Sequence, residues 1–250
     1  MPIDMNPIYK NTMLKYIGLI YYYINTLMLK IIQLLSIQIK NNQKDTKLLY
    51  KQNYMLINKN QNNILNDAYS DDILRQRYTR FKDNYIYTND LITTYGLHIR
   101  HQNPPEDITE NIAKFAIRNY DNDITCVWAK SVNKKGDLYS EKYPKYSQPE
   151  IKAFTSDGPS SFGPQKKFGI IYFLDMRQWL SDKFILWKVN VSDESSEWKK
   201  IKMNKTQTYE DQCNEGRRPH ISWDNIYSQI PNKCIKVYEG SFEGIFLCKQ

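Results

Sequence analysis

Pro149-Glu150-Ile151-Lys152-Ala153-Phe154 is followed at once by Thr155-Ser156-Asp157-Gly158-Pro159-Ser160-Ser161-Phe162-Gly163-Pro164. The first six residues read as a short strand, and the Gly/Pro/Ser run ends it. Residues i and i+2 of a strand point to the same side. Glu150 and Lys152 therefore face one site together, while Ile151 faces the core. Upstream stands Asp137, in Lys135-Gly136-Asp137-Leu138-Tyr139. Two carboxylates and a lysine converging on one point can hold a divalent metal beside a scissile phosphate.

Working outward, the chain supplies a sheet around this strand. Residues 124–128 read as a strand, and Lys134-Lys135-Gly136 as a turn that puts Asp137 at the start of the next one. Residues 169–174 are apolar enough for a strand buried on both faces, and 184–189 form another. Residues 176–181 make a short helical connection between these two. Ahead of them, Pro104-Pro105 stops the chain and Asp107 reads as a helix N-cap, with Glu110 as its capping-box partner. Ile108, Ile112, Phe115 and Ala116 then line one face of a helix to about Asn119. Further upstream, Ser70-Asp71-Asp72 caps a helix through Ile73, Leu74, Arg77, Tyr78 and Phe81. Its Arg75, Arg77, Arg80 and Lys82 make either a solvated face or a phosphate-contacting one. Asn89-Asp90 opens a further short helix that ends near Gly96. The expected class is α/β, a central mixed β-sheet flanked by helices.

The whole chain has 250 residues, 41% apolar and 25% charged, which argues against wholesale disorder. Its net charge of +8 points to an anionic partner. Residues 1–65 hold eight Lys, two Asp and no Glu or Arg, a local charge of +6. Residues 16–39 are largely apolar and long enough to span a bilayer. Asn25, Lys30, Gln33 and Gln38 interrupt them, so they read as a helix packed on the body or on a second subunit, with a membrane anchor as the other reading. The division expected is a helical N-terminal extension, 1–66, used for packing, dimerisation or as an arm, and a functional domain, 67–250. Cys126, Cys213, Cys234 and Cys248 form no C-x-x-C pair, which points to free thiols in a reducing, cytoplasmic setting. His98 and His101, three apart, are a weak metal signal.

The order of these elements resembles the PD-(D/E)xK nuclease superfamily: a helix bearing Glu110, a strand with Asp137, then Glu150-Ile151-Lys152. Gly136 stands where the superfamily's name puts proline. The longer strings carry a narrower resemblance. Glu110-Asn111-Ile112-Ala113-Lys114-Phe115, Gly136-Asp137-Leu138, Glu150 to Phe154, Asp157 to Pro164 and Ile171-Tyr172-Phe173-Leu174-Asp175 together look like type II restriction endonucleases of bacteria and large algal viruses. The resemblance covers about residues 70–245. It implies Mg²⁺, with Mn²⁺ able to substitute, held by Asp137 and Glu150 and by the carbonyl of Ile151. It further implies that Lys152 orients or deprotonates the attacking water, and that Glu110 helps place a water from the neighbouring helix. The products would be a 5′-phosphate and a 3′-hydroxyl. No small-molecule cofactor is implied.

The partner implied is double-stranded DNA, bound by a homodimer whose two-fold axis matches a palindromic target. Ser160, Ser161, Gln165, Lys166 and Lys167 lie on or after the rigid loop and are expected to meet the phosphate backbone. A recognition segment is expected over about 192–230. Within it, Gly216-Arg217-Arg218-Pro219-His220 offers two arginines, the side chain best suited to reading guanine, and His220 beside them. Arg77 and Arg80 are further candidates for DNA contact. Two other readings stay open on the residues alone. One is a structure-specific repair or resolvase nuclease on the same fold; the other is a basic DNA-binding protein without catalysis.

Overall fold

The computed structural model describes residues 67–247. The expected extension 1–66, with its apolar run 16–39, lies outside the described residues, as does Cys248.

Four strands form the central sheet: β3 (Pro149–Phe154), β5 (Ile170–Asp175), β6 (Phe184–Val189) and β8 (Cys234–Gly240), in the order β3-β5-β6-β8. β3 runs parallel to β5, with Glu150 beside Ile171 and Lys152 beside Phe173. β5 and β6 are antiparallel, as are β6 and β8. The sheet is mixed, as its residue pattern implied. Every residue of β5 is buried, which its unbroken apolar run required. A short antiparallel pair, β1 (Val127–Trp128) with β2 (Leu138–Tyr139), stands ahead of β3.

Alternation along β3 and β5 sends side chains into two separate cores. Ile151, Ile170, Tyr172 and Leu174 join one cluster with Leu74, Tyr78, Ile108, Ile112 and Ala116. These last come from α1 (Asp71–Tyr95) and α2 (Glu106–Tyr120). Phe154, Ile171 and Phe173 join the other cluster with Trp198, Tyr209, Trp223 and Ile226. Those residues belong to α3 (Ser196–Lys199), α4 (Tyr209–Asn214) and α5 (Trp223–Gln229), all within the long excursion between β6 and β8. Each large apolar side chain buried this way stabilises the fold by roughly 1.5–3 kcal/mol.

Three local expectations are corrected. The helix expected to break at Asn89-Asp90 is one continuous α1, N-capped by Ser70 and closed at Gly96 in the left-handed conformation (φ 64°). No Gly or Pro interrupts Asp71–Tyr95, and the Thr88 and Thr93 hydroxyls donate back to the carbonyls of Asn84 and Asn89. Asp107 does not cap α2: the N-cap is Pro105, with no side-chain cap bond. The Asp107 carboxylate is taken by Arg77 and by the Tyr69 hydroxyl, and Glu110 turns toward Trp128 instead of toward the cap. The strand expected over 124–128 shrinks to Val127–Trp128, because Asn122 is left-handed (φ 52°) and the Cys126 N–H closes a turn on the Asp123 carbonyl.

Candidate active site

β3 presents Glu150 and Lys152 on one side, and the Lys152 ammonium donates to Glu150 Oε1 at 2.7 Å. Glu150 is 2% exposed. Asp137 enters from the turn before β2, at the edge of β3, and its Oδ2 accepts the Ile151 N–H at 2.9 Å. The strand backbone thus fixes the second carboxylate against the first. Gly136 immediately before it has φ 101°. Proline, locked near −65°, cannot adopt that turn, so its absence at this position follows from the approach of Asp137 to β3.

A second lysine completes the group. Lys166 Nζ lies 2.6 Å from Glu150 Oε2 and 3.5 Å from Asp137 Oδ1. It comes from the turn that closes Gly163-Pro164, where the Lys166 N–H donates to the Gly163 carbonyl at 3.1 Å. Burial pushes the Glu150 carboxyl up from its ordinary value, and the Asp137 charge adds to the rise; Lys152 and Lys166 pull it back. Burial works to lower the Lys166 ammonium, but Glu150 and Asp137 together hold it above the ordinary range.

Glu110 reaches the same neighbourhood from α2. Its Oε2 accepts the Trp128 indole N–H at 2.6 Å, and Lys130 Nζ is 3.5 Å from Oε1. Burial pushes Glu110 up to about 7, against the pull of the Trp128 bond, and the Asp137 charge contributes to the rise. Glu110 and Asp137 therefore act on each other electrostatically.

The Gly/Pro/Ser loop and the arginine string meet. β4 (Ser160–Ser161) pairs antiparallel with β7 (His220–Ile221), which sets Ser161 opposite His220. The Phe162 N–H donates to the Pro219 carbonyl at 2.9 Å. Phe162 is fully buried against Phe173, Trp198 and Tyr209, and its ring lies 5.4 Å from Lys152 Nζ. Arg177 ties the loop down further, with contacts to Asp175, Asp157 and Asp224. Of the two arginines, Arg217 is held by Glu215 at 3.0 Å, while exposed Arg218 has no charged partner among the described residues. His220, Gln165 and Lys167 are exposed, and Lys167 has only a loose pairing with Glu194 at 3.9 Å.

Arg77 and Arg80 are not part of this assembly. They sit on α1, which packs its buried residues into the other core. Arg77 forms a two-pronged pair with Asp107 (2.8 and 3.2 Å), whereas Arg80 is exposed. His101 stacks on Tyr85 with ring centroids 4.0 Å apart, so it packs as an aromatic.

The donor set suits a small hard cation. Mg²⁺ is commonly held by one or two carboxylates, with water and substrate phosphate completing the octahedron. Asp137 and Glu150 supply two carboxylates from separate elements. Among the described residues their counter-charges are ammonium groups, which a divalent cation can replace. No cluster of three or more His, Cys, Asp or Glu suited to a metal occurs among the described residues, so a cation here depends on water or phosphate for most of its ligands. Nor is any helix among the described residues long and apolar enough to cross a membrane.

Sequence reading alone did not find Lys166 at the carboxylates, or Trp128 and Lys130 at Glu110. Nothing local marks them, since Lys166 looks like any cation of a basic loop until the loop folds back.

A family model described as Bsp6I restriction endonuclease matches residues 71–231, a span that holds Glu110, Asp137, Glu150, Lys152, Lys166 and both arginines. A relative from Bacillus sp. (strain RFL6), "Type II restriction enzyme Bsp6I", is 40% identical over 63 residues. That stretch covers 25% of this chain and 34% of the relative, so the match spans about a third of the relative's length. No solved structure matches. Since the family match takes in well over half of the chain, the protein belongs to the Bsp6I restriction endonuclease family.

Proposed function

We propose that the protein is a divalent-metal-dependent type II restriction endonuclease. It hydrolyses phosphodiester bonds at a specific sequence in double-stranded DNA, leaving a 5′-phosphate and a 3′-hydroxyl, and acts as a two-fold homodimer. The observation that carries this reading is the convergence of Asp137, Glu150 and Lys152 within the span matched to a restriction endonuclease family.

Asp137 and Glu150 would hold the cation, Mg²⁺ or Mn²⁺, which would supply positive charge to offset that of the phosphate. Lys152 uses one N–H on Glu150 and keeps others free to orient the attacking water and to steady negative charge on phosphorus. The water oxygen bonds to phosphorus and gives up a proton to solvent, the bond to the 3′-oxygen breaks, and that oxygen takes a proton from solvent. Glu110, whose Oε2 accepts the Trp128 indole N–H, takes the role of hydrogen-bonding a water near Asp137 in this reading. Ser160, Ser161, Gln165 and Lys167, on or after the loop that follows β3, contact the phosphate backbone. Arg218 and His220, the latter opposite Ser161 in the β4–β7 pair, read base edges, Arg218 by the two-pronged contact to guanine.

Incubation of plasmid DNA with the protein and Mg²⁺ tests the reading. Discrete fragments with defined ends are expected, and a chelator abolishes them. Nicking confined to branched DNA, or no cleavage of any DNA, overturns it.

A further inference from the structure

The position of Lys166 is not explained by contact with DNA alone. Its ammonium lies between the two carboxylates, 2.6 Å from Glu150 Oε2 and 3.5 Å from Asp137 Oδ1, on the side of Glu150 that Lys152 leaves free. Lys152 comes from the same strand as Glu150, so the two stay together whatever else moves. Lys166 comes from a separate loop and reaches in with its side chain only. The backbone of that loop is clamped at both ends, since Phe162 and Phe168 are fully buried and both rings pack on Trp198. Rotation about the side-chain bonds can withdraw the ammonium without disturbing those anchors. Glu150 is buried and Asp137 partly so, and two carboxylates this close are unfavourable without a cation between them. Lys152 serves one oxygen of Glu150; the Lys166 ammonium serves the other together with Asp137, and that is the place a metal ion can take.

We propose that Lys166 is a displaceable placeholder for the divalent cation, seated between Asp137 and Glu150 in the metal-free protein and released to the DNA phosphate when metal binds. The proposal rests on the reading of Asp137 and Glu150 as the cation site. It makes metal and DNA mutually dependent. Without DNA the ammonium competes with the metal and keeps its affinity low. With DNA, a phosphate offers Lys166 another partner and the carboxylates are freed. By linkage, metal must then strengthen DNA binding by the same factor. The device delays assembly of the cleavage centre until DNA is in place.

Calorimetric titration of the DNA-free protein with Ca²⁺ and Mg²⁺ is the test, with no cleavage assay involved. Lys166→Met is expected to bind the ion about tenfold or more tightly than wild type, because a competing charge-assisted hydrogen bond has been removed. Lys183→Met, which removes the same charge just before β6 where Lys183 meets Glu239, leaves ion affinity unchanged. The strengthening of DNA binding by Ca²⁺ is expected to shrink in Lys166→Met. Lys166→Gln, which keeps a polar side chain in the loop, serves if the methionine variant melts early. Unchanged or weaker ion binding in folded Lys166 variants overturns the placeholder. Ion binding that persists unchanged in Glu150→Gln overturns the site itself, a distinguishable failure.

Discussion

Two lysine–carboxylate groups with a buried carboxylate, one on each side of the central sheet, are built differently. Behind α2, Lys114 is fully buried and donates to Asp67 Oδ2 and to the Tyr69 carbonyl, each at 2.7 Å. Asp67 also accepts from the Ser131 hydroxyl and the Tyr69 N–H. Every strong donor in that group has a fixed protein partner. On the other side, Glu150 is held by two lysines from different elements and crowded by a second carboxylate. The first arrangement is held by fixed protein groups and ties Asp67 and Tyr69 to α2. The second is over-supplied with charge that a metal or a phosphate can rearrange. The same residue types serve stability in one place and candidate chemistry in the other. What separates them is whether the partners can be exchanged.

Breaking each group in turn sharpens the contrast. The largest effect is expected from Lys152→Ala on the site side. Cleavage rate falls about 10²- to 10⁴-fold, the range for a residue positioned on a transferring proton or developing charge, while the melting temperature stays close to wild type. A steep loss of stability with the rate per folded molecule retained would reverse the assignment.

Next comes Lys114→Met on the scaffold side. Removing one partner of a buried pair leaves Asp67 uncompensated and destabilises the fold by about 3–5 kcal/mol. Denaturant melts should show the loss, and cleavage by the folded fraction should not change. A stable variant would place Lys114 outside the scaffold.

Glu110 stands between the two regions, and its signature is pH dependence. Its carboxyl is pushed up to about 7 from an ordinary 4.5, so the folded protein binds a proton that the unfolded chain releases. That contribution is complete below about pH 4.5 and is lost as pH rises through about 7. In chelator, wild type should therefore lose stability relative to Glu110→Gln across this window, by on the order of 3 kcal/mol. Parallel stability curves for the two proteins would refute the buried-carboxyl account.

The smallest effect is expected at the loop pair. Arg218→Ala should weaken binding to cognate DNA by about 1–3 kcal/mol and leave binding to unrelated DNA nearly unchanged. An equal loss on both DNAs would make Arg218 a phosphate contact.

Much of the scaffold was legible from local pattern. β3, β5 and β6 fall within a residue or two of their expected places, because alternation and unbroken apolar runs are strand signals that neighbours cannot mask. The i, i+2 rule put Glu150 and Lys152 together, and they are 2.7 Å apart. What escaped reading depends on residues distant in sequence. Asp107 has the chemistry of a cap but is drawn off by Arg77 and Tyr69 from another element. β4 and β7 are two residues each, too short for any periodicity, and they pair across a long stretch of sequence. Lys166 belongs to the same class, since its reach to Glu150 exists only once Phe162 and Phe168 are seated on Trp198.

The central claim concerns Glu150, and Glu150→Gln tests it most directly when binding and cleavage are measured on the same DNA. Wild type should cut plasmid DNA into discrete fragments in Mg²⁺. The variant, still folded, should bind that DNA in Ca²⁺ yet release no fragments in Mg²⁺. Fragments from Glu150→Gln at a rate near wild type would contradict the assignment of Asp137, Glu150 and Lys152 as the cleavage centre.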